Sequence, residues 1–143
     1  MHVEHLIVVS RDAWVDPDEL ADLLHSYSRD MYDYFVFIEQ VGVEDAAEFI
    51  REVLKRHGEL LNEVGRLTVG EAVKKSPGEV LELVTLTHGW LEWFTPMVWR
   101  CTVREGGLSS VEPLDVDEVR ELLNSIQGGE AGGYRFLIFD SHC

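Results

Sequence analysis

Positive charge is scarce in this sequence. Lysine occurs only at Lys55, Lys74 and Lys75, and basic residues number 12 against 27 acidic ones, a formal net charge of −15. A phosphate backbone is repelled by such a surface unless a basic patch overrides it, and no patch stands out, so no nucleic-acid partner is expected. Membrane-length apolar runs are missing too; a spanning helix needs about 20 such residues, so no membrane is expected. The opening MHVEHLIVVS has neither a basic region nor a small-residue cleavage site, and reads as a strand rather than a secretion signal. Two cysteines, Cys101 and Cys143, make no disulfide framework, which points to a reducing cytoplasm. Asparagine and glutamine are rare as well. With the acidic surplus, that composition suits a hot or salty cytoplasm.

What is present is enough for one domain with its own core: 143 residues, 45% of them hydrophobic. Residues 3–10 form a first strand with Val3, His5, Ile7 and Val9 on one face and Glu4, Leu6, Val8 and Ser10 on the other. Both faces are largely apolar, as in a central strand. Asp16-Pro17-Asp18-Glu19 opens a helix with an Asp N-cap, proline at N1 and an acidic N3. Leu20, Leu23, Leu24, Tyr27 and Met31 continue it as a stripe. The aromatic and β-branched residues 32–41 are the next strand. The three elements are expected to form a right-handed parallel β-α-β crossover.

A long amphipathic helix follows from Val43 to Val64, with Gly58 loosening its end. Capping boxes at Thr68-Val69-Gly70-Glu71 and Ser76-Pro77-Gly78-Glu79 predict two more helices, over 68–75 and 77–88. Residues 80–87 are β-branched enough to be a strand instead; the cap and Gly89 favour helix.

Residues 97–112 carry the clearest hairpin. Met97, Trp99, Cys101 and Val103 alternate with Arg100, Thr102 and Arg104. A loop at Glu105-Gly106-Gly107 sets Arg100 opposite Glu112 on the wet side and Cys101 opposite Val111 on the core side. Pro113 ends the second strand. A fourth capping box, Asp115-Val116-Asp117-Glu118, starts an amphipathic helix to Ile126, and residues 134–140 are the last strand. The order β-α-β-α-α-α-β-β-α-β describes a single α/β (or α+β) layered domain with a mixed sheet.

Candidate chemistry lies in a few places. Gly128 to Gly133 resembles a phosphate loop in composition, but it runs from helix to strand and lacks lysine, so it is read as a connector. His5, Asp140 and His142 are metal-ligand types near the two chain ends. An antiparallel pairing of the first and last strands would bring a terminal histidine to Asp140 and His142, making a transition-metal site of the zinc class. His2 and His5 point to opposite faces of a strand, so they cannot both ligate. Ser10, Arg11 and Asp12 stand where a parallel crossover binds ligands, beyond the carboxyl end of its strand, and Arg11 would hold an anion there. His57 and His88 lie on apolar stripes and are read as core histidines; Cys101 is read as a small hydrophobe.

Trp90, Trp93, Phe94 and Trp99 crowd ten residues, more aromatic surface than one strand face can bury. They are therefore expected to form the interface of a two-fold homodimer. The sequence is thus read as a soluble, acidic, cytoplasmic interaction or regulatory protein that self-associates. The alternative is a small enzyme or ligand- or metal-binding protein.

Overall fold

Among the described residues, alternating apolar side chains build five strands, which join in one mixed sheet in the order β2-β5-β1-β3-β4. The computed structural model describes residues 1–10, 14–28, 31–72, 95–104 and 109–143. The elements are β1 (His2–Val9), α1 (Pro17–Ser28), β2 (Tyr34–Val41), α2 (Val43–Ala72), β3 (Met97–Val103), β4 (Ser109–Pro113), α3 (Val116–Gln127) and β5 (Arg135–His142). Strand β1 runs parallel to β3 and antiparallel to β5. Its two apolar faces follow from that central place, since helices cover both.

One correction concerns the first crossover. Strands β1 and β2 do point the same way, but β5 lies between them, antiparallel to both. The β-α-β unit is split, and the parallel neighbour of β1 is β3. Strand β5 is the most apolar piece of the C-terminal region, with Phe136, Leu137, Ile138 and Phe139 all buried. Such a strand needs cover on both faces and a partner on both edges, which only an interior slot supplies.

Helix α1 lies on one face over Val3, Ile7, Val9, Leu137, Phe139 and Trp99, anchored by Leu20 and Leu24. It starts as expected, with Pro17 first and the Asp16 carboxylate accepting from the Asp18 N–H at 3.0 Å. Helices α2 and α3 share the opposite face, where Ala46, Ile50, Val119 and Ile126 pack on Leu6, Val8 and Phe136. The capping box of α3 is formed in full: Glu118 N–H to Asp115 at 2.8 Å, and Asp115 N–H to Glu118 at 3.3 Å. Gly129, at φ 75°, turns the chain out of α3 into the connector to β5.

Helix α2 is longer than expected. It runs unbroken through Gly58 and Thr68 to Ala72, so the Thr68 capping box starts no helix of its own. A capping pattern satisfies N–H groups only where the preceding chain is not already helical. Here those N–H groups find carbonyls one turn back, and an interior glycine costs only about 1 kcal/mol. The helix expected over 77–88, with its strand alternative at 80–87, lies outside the described residues.

The β3–β4 hairpin has the expected register, with Arg100 opposite Glu112, Cys101 opposite Val111 and Thr102 opposite Ser110. Trp99 and Cys101 are fully buried, and Pro113 is the last residue of β4. The turn at Gly106-Gly107 lies outside the described residues.

Candidate functional site

Among the described residues two polar side chains have no exposed surface, Ser141 on β5 and His5 in the middle of β1. The surroundings of His5 determine its proton. Trp99 Nε1 has only a hydrogen to give, and donates it to His5 Nδ1 at 3.0 Å. Nδ1 is therefore the acceptor, so Nε2 carries the hydrogen and donates to Ser141 Oγ at 2.7 Å. The Ser141 hydroxyl in turn donates to the Val3 carbonyl at 3.1 Å. Burial pushes the imidazole down to about 3, which keeps it neutral. Tyr32 and Phe35 ring contacts at 5.1 and 5.0 Å close the box.

The His5–Ser141 distance is that of a nucleophile and its base, but the hydrogen runs the wrong way. A base must accept from the serine, whereas here the imidazole donates to it. Both groups are also sealed from solvent. This is a structural chain of hydrogen bonds crossing three strands. Nearby, burial also raises the Tyr32 phenol and the Cys101 thiol above their ordinary values, which leaves both protonated and unreactive.

The expected metal triad does not come together. The β1–β5 register is antiparallel, as that reading required, and it sets His2 opposite His142 and Glu4 opposite Asp140. His5 belongs to the other face, opposite Phe139. The histidine that reaches Asp140 is His2, with Nδ1 2.8 Å from the carboxylate. His142 Nδ1 pairs instead with Asp33, just before β2, at 2.9 Å. The two rings lie 5.1 Å apart, and Tyr34 stacks on His142 at 5.7 Å and 9°. Among the described residues no three histidine, cysteine or acidic side chains form a metal-holding group. The sequence offered both His2 and His5 at this end of β1, and only the register decides that His2 shares a face with Asp140 and His142. Asp33 carried no signal.

Ser10 does stand at the carboxyl edge of β1. It borders a cavity of about 250 Å³ between the sheet and α3, together with Arg100, Glu118, Glu121, Ser125 and Tyr134. Ligand pockets usually hold about 300–1,000 Å³, so this one is small. Arg100 is shared between Glu112 at 3.3 Å and Glu118 at 3.5 Å. Its charge is offset twice over, and the wall is net acidic, which suits a small cation or neutral polar molecule better than an anion. Arg11 and Asp12, the other residues of the expected ligand edge, lie outside the described residues.

The expected aromatic interface divides in two. Trp99 has no exposed surface; it is packed against His5, Phe35 and Tyr27 and belongs to the core. The register that turns Trp99 inward also gives its N–H a buried acceptor, so the ring has no reason to leave. Trp90, Trp93 and Phe94 lie outside the described residues.

Among the described residues, three neighbouring exposed apolar side chains stand on β2, an edge strand of the described sheet. Tyr34, Val36 and Ile38 are 42%, 47% and 53% exposed on one side of it. Phe35 and Phe37 turn the other way, toward α1 and the core. A bulge between Phe37 and Glu39 leaves Ile38 without a partner on β5. No family model matches the chain, and no curated protein or solved structure is detectably similar to it.

Proposed function

We propose that this chain is a non-catalytic interaction protein that assembles as a two-fold homodimer through the outer edge of β2. The observation that carries this reading is the contrast between the two edges of the sheet. Strand β4 is short, carries Glu112 and ends in Pro113, all devices that discourage pairing. Strand β2 is eight residues long, has no proline or lysine, and carries a single charge, Glu39. Among the described residues no strand pairs with its outer side, and an edge of that length is a template for another strand.

A second copy is the occupant that fits. Antiparallel pairing of one β2 with another is self-complementary about a two-fold axis. It joins two five-stranded sheets into one and lets Tyr34, Val36 and Ile38 of each copy cover their counterparts. Each such side chain contributes about 1.5–3 kcal/mol when taken from water. Two acidic chains repel at long range, so dimerisation is expected to tighten as salt screens them.

Sedimentation equilibrium at micromolar concentration tests this. The expected result is a species of twice 16.3 kDa, shifting to the monomer in Val36→Lys and Ile38→Lys. A monomeric parent protein would overturn the dimer. A dimer that survives both lysines but dissociates in Trp93→Ala would move the interface to residues 90–94. The same net charge supports a further negative: titration of labelled duplex DNA at physiological salt is expected to show no binding.

A further inference from the structure

We propose that His2 and His142 bind one divalent transition-metal ion of the zinc class, through their Nε2 atoms, at the end of the β1–β5 pair. The proposal does not depend on the dimer. Both residues stand directly opposite one another on neighbouring strands, on the same face of the sheet.

Each imidazole is already held in the tautomer a metal requires. A carboxylate accepts and does not donate, so the hydrogens of His2 and His142 sit on Nδ1, directed at Asp140 and Asp33. The lone pairs are thereby left on the Nε2 atoms. Neither Nε2 atom is engaged by any described residue. A carboxylate on the far nitrogen is the usual support of a metal-bound histidine, fixing its orientation and raising its basicity.

The spacing fits as well. With a metal–nitrogen bond of about 2.0–2.1 Å and a ring centre about 1.2 Å behind the nitrogen, two imidazoles at a tetrahedral angle have centres about 5.2 Å apart. The observed separation is 5.1 Å. Tyr34, stacked on the outer face of His142, limits the swing of that ring. Asp140 and Asp33 bring negative charge beside the ion without ligating it. Two protein ligands leave the remaining positions to water or to a donor group on a bound molecule, so affinity in the micromolar range is expected rather than that of a closed four-ligand site.

Calorimetric titration of untagged protein with zinc, and with cobalt for its visible absorption, measures the site. One ion per chain is expected, with long-range 1H–15N spectra showing the Nε2 resonances of two imidazoles shifting together. His2→Ala and His142→Ala should each abolish stoichiometric binding. Asp140→Asn should keep it but weaken it about tenfold or more. All three positions are at the surface, and an unchanged circular dichroism spectrum confirms that the variants fold. No binding up to millimolar metal would overturn the proposal, as would binding unaffected by either histidine variant. One ion per two chains, lost when Val36→Lys dissociates the dimer, would also overturn it by moving the ligands to an interface.

Discussion

Trp99→Ala is expected to cost about 4–8 kcal/mol of folding stability. Truncating a buried tryptophan removes about 3–5 kcal/mol through lost burial and the cavity left behind. Trp99 has no exposed surface and lies among Tyr27, His5 and Phe35, each of which loses a packing partner. The substitution also strips the donor from His5 Nδ1, and an unsatisfied buried acceptor costs about a further 1–3 kcal/mol. Total stabilities of domains are about 5–15 kcal/mol, so the variant is expected to be partly unfolded at 25 °C. Urea denaturation followed by circular dichroism measures the loss. Trp99→Phe separates the two contributions, because it keeps most of the ring and removes only the N–H. It should cost about 1–3 kcal/mol more than its lost volume accounts for. A Trp99→Phe protein as stable as the parent would show that the hydrogen bond to His5 contributes nothing.

Acid is expected to destabilise this protein through one buried residue. The folded state holds His5 neutral down to about 3, whereas in the unfolded chain it takes up a proton near its ordinary 6.5. Between those values the unfolded state binds the extra proton, so stability falls as pH falls. The contribution is complete above about pH 6.5 and is lost at about 1.4 kcal/mol per pH unit down to about pH 3. Over the whole window that is on the order of 4–5 kcal/mol, comparable with the lower end of the Trp99→Ala loss. His5→Gln is the informative variant. Its side-chain carbonyl can accept from Trp99 and its amide can donate to Ser141, but it does not titrate. Urea midpoints at pH 7.5 and pH 5 decide the matter. The parent should lose about 2 kcal/mol more than His5→Gln over that interval. Equal losses would place the acid sensitivity elsewhere, on carboxylates or on the exposed histidines.

Much of the local structure was legible from residue type and spacing. The α3 capping box, the start of α1 and the β3–β4 register each depend on residues within about a dozen positions of one another. Local hydrogen bonds and period-two alternation are sufficient to specify such features. The mixed sheet and the central place of β1 were legible too, because only an interior strand tolerates two apolar faces. The end of α2 was not. Whether the Thr68 box starts a helix or lies within one depends on whether the preceding chain is already helical, and residues 68–71 carry no information on that point.

The candidate sites needed the tertiary structure. The sequence contained the right residue types at both chain ends, but which histidine meets Asp140 is a question of register between strands more than 130 residues apart. A shift of one residue exchanges His2 for the opposite parity and reverses the answer. Likewise, the excess of aromatics around Trp99 was visible, while the acceptor that holds it inside, His5 Nδ1, lies 94 residues away on a parallel strand. The sequence by itself determined the helices and strands it could specify through near neighbours, the acidic surface and the hairpin register. Only the tertiary structure decided that β5 enters between β1 and β2, and that one insertion places β2 at the edge of the described sheet, buries His5 as a neutral link and sets His2 against His142. Long-range strand order is decided by the total burial of both sheet faces, a sum over the whole chain that no short window of residues contains.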